Sequence, residues 1–227
     1  MSALAISLLP AVTVDVPAIA EINRAAYFPE AIGRFVFTDW PEPTTQYQFF
    51  LSRVENRFKN PDSDLIKAVN TSSGEIVAFG ALTYTPAGKS ENKDERFAKP
   101  PPHMNIEIIK EIAAGARKQE EKVKGLTRYE LSSMMVLPQY QGKGIGNQIL
   151  DSFLAKADKA GLPIYLTAFP GVHDLYLKRG FRDVGHTDTD LRKWAGQYTG
   201  FGVYRNYFML RSAQKSINEN ITFHTFE

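Results

Sequence analysis

Apolar residues along the chain switch between a period of two and a period of three to four, and the switches mark the elements. The opening run, MSALAISLLPAVTV, reads as a first strand. It has no Lys or Arg before Arg24, contains Pro10 and leads into Asp15, which is unlike a signal peptide. Asp15 then reads as a helix N-cap, with Pro17 in the first turn and Ile19, Ile22 and Ala26 on one face. Residues 28 to 43 are irregular and aromatic, and a second helix is predicted from Thr44 to Phe58. LIKAV (65–69) and EIVAFGALTY (75–84), joined by a turn at Ser72-Ser73-Gly74, predict a β-hairpin. A polar loop over 86–104 ends in Pro100-Pro101-Pro102, and a charged helix follows from about Asn105 to Lys124.

The second half of the chain is more sharply punctuated. YELSSMMVL (129–137) is the next strand, and its continuously apolar second half fits a strand buried on both faces. Pro138 ends it, a glycine-rich turn follows, and a helix covers 144–160. Gly161 and Pro163 break that helix before the buried strand IYLTAF (164–169). A short helix around 171–179 stops at Gly180, in the position of a C-terminal glycine cap. Strands at about 181–187 and 203–211 close the pattern, separated by a loop with Trp194, Tyr198 and Phe201. No internal repeat or linker interrupts it. The expectation is one domain over 1–227, with an insertion at about 88–124 and a polar tail from about Ser212.

Composition narrows the function classes. At 227 residues and 43% hydrophobic content, the chain can bury a sizeable core. Its 27 basic and 25 acidic residues nearly cancel, so bulk electrostatics point to neither a nucleic-acid nor a membrane-surface partner. Residues 88–124 carry nine basic and seven acidic side chains, a mixed solvated surface. No apolar run approaches the roughly 20 residues that span a bilayer. The absence of cysteine excludes disulfides, thiolate metal sites and a cysteine nucleophile, and it permits a reducing compartment; the expected location is cytoplasmic. His103, His186 and His224 show no ligand spacing, so no metal is expected, and no Gly-x-Ser-x-Gly nucleophile elbow is present.

The candidate chemistry lies in LPQYQGKGIGNQIL (137–150). Gly142, Gly144 and Gly146 alternate around Lys143, which allows a bulky anion to approach the backbone closely at a helix N-terminus. A Walker loop requires Ser or Thr after the lysine, and Gly144 stands there. A dinucleotide fingerprint requires a third glycine where Asn147 or Ile149 stands. Gln141-x-x-Gly144-x-Gly146, after a strand ending Val136-x-Pro138 and before an amphipathic helix, resembles instead the acetyl-CoA signature of the GNAT superfamily of N-acetyltransferases. LYLKRGF (175–181) resembles a second block of the same family, Leu-Tyr-x-x-x-Gly-Phe, and the order of elements from residue 7 to 211 fits as well.

This resemblance implies an α/β (α+β) fold, a mixed central sheet of six to seven strands with helices on both faces. Its fourth and fifth strands splay around the coenzyme. The resemblance places the backbone of Met134, Met135 and Val136 beside the pantetheine arm, with a bulge there aiming an N–H at the thioester carbonyl. It places the pyrophosphate on the N–H groups of the turn formed by Gln141, Gly142, Lys143, Gly144, Ile145 and Gly146. Lys143 and Asn147 are further candidates for the phosphates. Tyr176 matches the tyrosine that serves as general acid toward the leaving sulfur. Glu130, eleven residues before Gln141, matches a catalytic glutamate of the histone-acetylating branch, and in that register it shares a face of the strand with Ser132 and Met134. His173 or water are the alternative bases.

The activity so implied is transfer of the acetyl group of acetyl-CoA to an amine by direct attack in a ternary complex. The acceptor expected is a small-molecule amine. A peptide N-terminus or lysine remains the alternative, as does a non-catalytic acetyl-CoA sensor, and the assembly is a monomer or a homodimer. The aromatic stretches at 28–40 and 194–207, with Phe35, Phe37, Trp40, Trp194, Tyr198 and Tyr204, are expected to flank the acceptor mouth. The inserted helix, with Ile108, Ile112 and Val123 turned inward, is expected either to cover that mouth as a lid or to remain a solvated decoration.

Overall fold

The computed structural model describes residues 5–89 and 102–214. Seven strands form one sheet: β1 (Ile6–Pro10), β2 (Ser63–Asn70), β3 (Ile76–Thr85), β4 (Arg128–Val136), β5 (Ile164–Ala168), β6 (Arg182–Asp190) and β7 (Val203–Arg211). Their spatial order is β1-β2-β3-β4-β5-β7-β6. All neighbours are antiparallel except β4 and β5. That one parallel junction is joined through α5 (Ile145–Ala160), because parallel strands need a crossover.

Side-chain alternation on β3 shows how the layers assemble. Phe79 and Ala81 pack with Val16 and Ile19 of α1 (Val16–Tyr27) and Val54 of the helix Pro43–Phe58. Ala78 and Leu82 face the other way, against Ile145, Ile149 and Phe153 of α5. Gly80 lies on the α5 face, where an added Cβ would sit 2.5 Å from Ile149 and 2.8 Å from the Phe153 ring. The helix crosses the sheet this closely because the position has no side chain.

Element boundaries follow the predicted pattern with a few physical departures. Asp15 precedes α1, but its carboxylate does not cap that helix; it accepts from Val12 N–H at 2.8 Å and from Lys67 Nζ at 2.7 Å, tying α1 to β2. The irregular 28–43 stretch contains a helical turn, α2 (Gly33–Val36), before α3 (Pro43–Phe58), and Phe37 forms a β-bridge with Met104. β6 continues to Asp190, beyond the predicted 187, because Arg205 on β7 pairs with Asp188 and the ladder runs out to Asp190↔Val203. No helix among the described residues is long and apolar enough to cross a membrane.

The predicted insertion yields α4 (Ile106–Glu120), which ends four residues earlier than expected. Asn105 caps it, its side chain accepting from Glu107 N–H and Ile108 N–H. Ile108 and Ile109 are buried with Ile32, Val36, Phe37, Leu191 and Tyr204, and Ile112 packs at the edge of this cluster. Farther along, Gly115 lies against Thr187 of β6 and Gln119 donates to the His186 carbonyl at 3.0 Å. Val123, in the turn after the helix, is buried with Tyr165 and Phe208. The helix therefore lies on the body of the protein with its apolar face covered, and it is not a solvated decoration. Residues 90–101 of the insertion and the tail from 215 lie outside the described residues.

Candidate active site

β4 and β5 pair over only three positions, Tyr129↔Ile164 to Leu131↔Leu166. Beyond Leu131, β4 stays paired with β3 while β5 pairs with β7, so a gap opens between the parallel strands toward their C-terminal ends. Leu137 N–H donates to Val77 C=O across β3. By the alternation of an antiparallel ladder, the N–H groups of Met134 and Val136 point the other way, into that gap. The Val136 carbonyl there is met by Gln141 Nε2 at 3.0 Å. Gln141 thus folds the glycine turn back onto the open edge of β4.

The turn itself has the conformation its glycines predict. Gly142 and Gly144 have φ of 71° and 80°, and an added Cβ at either would meet nothing within 4 Å, so space lies open above both. Gly144 is the N-cap of α5 and supplies no side-chain cap. The first intrahelical bond is Gln148 N–H to Gly144 C=O, which leaves the N–H groups of Ile145, Gly146 and Asn147 directed along the axis into that space. A Cβ added at Gly146 would lie 3.7 Å from Val136 and 4.0 Å from Met134, close to the open edge. Lys143 leans over the Tyr140 ring at 5.0 Å, and Tyr140 is held by Glu75 at 2.7 Å. The turn offers backbone donors, a helix N-terminus and one cation at the mouth of the gap, which is a fit for a pyrophosphate.

Two expectations on β4 need correction. The register with β3 shifts between Ala81 and Leu82, placing the bulge at Ser132 and leaving Met134–Val136 regularly paired. The extra residue also changes which side chains share a face. Tyr129, Leu131, Met134 and Val136 face α5, whereas Glu130, opposite Thr83, lies on the other face with Ser133 and Met135. Met134 therefore does not share the face of Glu130. The bulge is held from below: Arg57 of α3 donates to the Ser132 carbonyl at 2.9 Å, and Ser133 bonds Asn23 of α1 at 3.1 Å.

Glu130 is 9% exposed and sits in a cluster of charges. Its carboxylate is 3.7 Å from Arg128, which is fully buried and also lies 3.9 Å from Glu120 at the end of α4. Arg128 donates to the Val123 and Leu126 carbonyls and stands over the Tyr165 ring at 5.5 Å. Burial and the charges of Glu130 and Glu120 push the Tyr165 phenol well above its ordinary range. Neither Arg128 nor Arg57 carried a signal in the sequence, since both act through contacts distant along the chain.

Tyr176 lies on α6 (His173–Leu177), on the α5 face, 6% exposed and packed edge-on to Phe181. Burial raises its phenol well above the usual value. His173, on the same short helix, is committed elsewhere: Nε2 lies 2.9 Å from Asp183 and the ring stacks on Tyr207 at 3.8 Å. Among the described residues no cluster of three or more His, Asp or Glu side chains could hold a metal.

The two aromatic stretches do meet, at the end of the sheet where β5 stops. Phe28 stacks on Trp40, Phe35 meets Phe201 edge-on, and Phe169 stands between Tyr27 and Tyr204. Tyr198 is not part of this cluster; it is 70% exposed. α4 closes one side of the cluster through Ile108 and Ile109, a contribution the sequence placed near the mouth without assigning partners.

Residues 105–183 match the family model described as an acetyltransferase (GNAT) domain. No curated protein sequence matches the chain at a significant level. Among solved structures, a histone acetyltransferase HPA2 and related acetyltransferase from Corynebacterium glutamicum superposes with a TM-score of 0.62 at 17% identity, over 94% of this chain and 99% of that one. The mosquito arylalkylamine N-acetyltransferase like 5b gives 0.59 at 16%, covering 92% and 100%. Arabidopsis thaliana NAA60, solved with a bisubstrate analogue, gives 0.55 at 15%, covering 93% and 100%. At such identities the likeness is one of fold.

Proposed function

We propose that this chain is a GNAT-type acetyltransferase that transfers the acetyl group of acetyl-CoA to the amine of a small molecule by direct attack in a ternary complex. The observation that carries this reading is the gap between β4 and β5, with the Gly142–Gly146 turn and the bare N-terminus of α5 at its mouth. The turn and the first N–H groups of α5 hold the pyrophosphate, and the free edge of β4 at Met134 and Val136 pairs with the pantetheine amides. Lys143 and Asn147 border the phosphates.

Chemistry needs two protons removed from the nitrogen and one supplied to the sulfur. Glu130, on the face shared by α1 and α3, takes the first proton from the acceptor ammonium, directly or through a water. The freed nitrogen lone pair attacks the thioester carbonyl carbon, the carbon–sulfur bond breaks as Tyr176 delivers its proton to the departing sulfur, and the nitrogen's second proton leaves through water to restore the Tyr176 phenol as the neutral amide forms. The Ser132 bulge distorts β4 next to the reacting carbonyl, and its backbone donors stabilise the oxyanion formed on attack. The ring cluster of Tyr27, Phe169 and Tyr204, closed on one side by α4, supports a compact acceptor.

A panel of small amines and of peptides, incubated with acetyl-CoA while free thiol is followed, tests this. Turnover with small primary amines and none with peptides is expected. Turnover confined to peptides would replace the acceptor class, and no amine-dependent thiol release at all would make the protein a sensor.

A further inference from the structure

β5 is apolar except at Thr167, and its burial breaks at the same residue: Thr167 is exposed, while Ile164, Tyr165, Leu166 and Ala168 are buried. The strand is interior to the sheet, with β4 on one side and β7 on the other, so this is not the exposure of an edge. Alternation decides which face is open. Ile164, Leu166 and Ala168 belong to the core under α5, whereas Tyr165 packs with Val123 and Phe208 on the opposite face. Thr167, two residues on from Tyr165 and directly across from Phe208, faces the same way as both. Tyr165 and Phe208 are themselves buried, so the cover is missing only locally. The opening lies between α1, where Asn23 bonds Ser133, and the turn after α4, where Val123 covers Tyr165.

The same position adjoins the proposed chemistry. β4 and β5 pair for the last time at Leu131↔Leu166, so Thr167 is the first residue of β5 to border the gap, level with the Ser132 bulge. Glu130 pairs with Tyr165 and lies on the same face. Strand rise and spacing put the Cα atoms of Glu130 and Thr167 roughly 8 Å apart, a span that a nitrogen held between a carboxylate and a hydroxyl fills. We propose that Thr167 binds the attacking amine. Its Oγ1 accepts a hydrogen bond from one N–H and holds it while Glu130 removes the proton from another. Rotation about the retained hydrogen bond then brings the freed lone pair round to the thioester carbonyl. This rests on the acetyl-transfer reading, and it adds an amine-binding residue that the family resemblance did not single out.

The chain has no cysteine, so one introduced thiol reports the placement. In Thr167→Cys the new thiolate attacks either sulfur of the methyl disulfide of coenzyme A; one disulfide forms and the other half leaves as a thiol. Mass spectrometry of the intact protein should show coupling at least about tenfold faster than in Ser52→Cys, an exposed position on α3, and excess acetyl-CoA should suppress it. Coupling no faster than in Ser52→Cys, or indifferent to acetyl-CoA, would overturn the placement. The hydroxyl is tested with the small amine that the wild type turns over fastest. Thr167→Val, which keeps the branched shape, should lower kcat/KM for that amine by about tenfold or more while acetyl-CoA affinity stays within about twofold, and Thr167→Ser should keep most of the activity. Unaltered turnover in Thr167→Val would overturn the role of Thr167 and leave the transfer reading in place. Fast, suppressible coupling in a chain that acetylates no amine would overturn the transfer reading, and the amine role with it.

Discussion

In the proposed mechanism Tyr176 and Glu130 divide the proton transfers between the two faces of the sheet. Desolvation raises the Tyr176 phenol above its ordinary value. Tyr176→Phe should lower kcat by roughly 10²-fold and leave the acetyl-CoA dissociation constant within a few-fold, measured by steady-state thiol release and by calorimetry. An unchanged kcat would make Tyr176 a packing residue. At this scale the sequence was legible where chemistry depends on short spacing: the three glycines, Gln141 and Tyr176 all declare themselves locally. The bulge at Ser132 was not legible, because it arises from the register of β4 against β3. The faces assigned to Glu130 and Met134 by simple alternation failed for that reason.

Among the elements, α5 carries the most stringent constraints. It crosses β3 at Gly80, where Ile149 and Phe153 occupy the space of a Cβ. Gly80→Ala should destabilise the fold by about 1–3 kcal/mol in a denaturant titration, since neither side chain can retreat from a packed core. The far end of α5 is tied to β7 by Asp158, which pairs with Arg211 at 2.8 Å and accepts from Gln214 N–H. The Arg211 hydrogen bond holds this carboxyl below the ordinary carboxylate range. A depressed folded-state value means stability that is present above the unfolded value and lost as pH falls through the folded one. Asp158→Asn should therefore be less stable than wild type at neutral pH, and the difference should shrink below about pH 4. A difference that did not change with pH would show that the pair is packing and not charge. The order and type of these elements followed from apolar periodicity and from Gly and Pro breaks. The cap assigned to Asp15 did not hold, because Lys67, distant in sequence, competes for its carboxylate.

At the scale of the molecule, the proposed function divides two tasks between the faces of one sheet. Its α5 face and the open edge of β4 would serve the coenzyme, while the opposite face, covered by α1, α3 and α4, would lead to the acceptor. The insertion is part of that second wall, joining the aromatic cluster through Ile108 and reaching the charged cluster through Glu120. Ile108→Ala should cost about 2–5 kcal/mol of stability and raise the acceptor KM while leaving acetyl-CoA affinity unaltered. An unchanged KM in a folded variant would confine α4 to a structural role. The sequence announced that a helix was inserted, but not that its end would stand over Glu130, since that depends on how β5, β7 and β6 stack beyond the gap.

The central claim is that the turn between β4 and α5 is where the coenzyme's pyrophosphate binds. Gly144→Asp puts a carboxylate where the anion would lie and a Cβ where φ is 80° and no other residue lies within 4 Å of that Cβ. Calorimetric titration of acetyl-CoA into wild type and this variant, with folding checked by thermal melting, is the direct measurement. The account predicts clear binding to wild type and a loss of at least about 10²-fold in a folded variant. Undiminished affinity in the folded variant would contradict it.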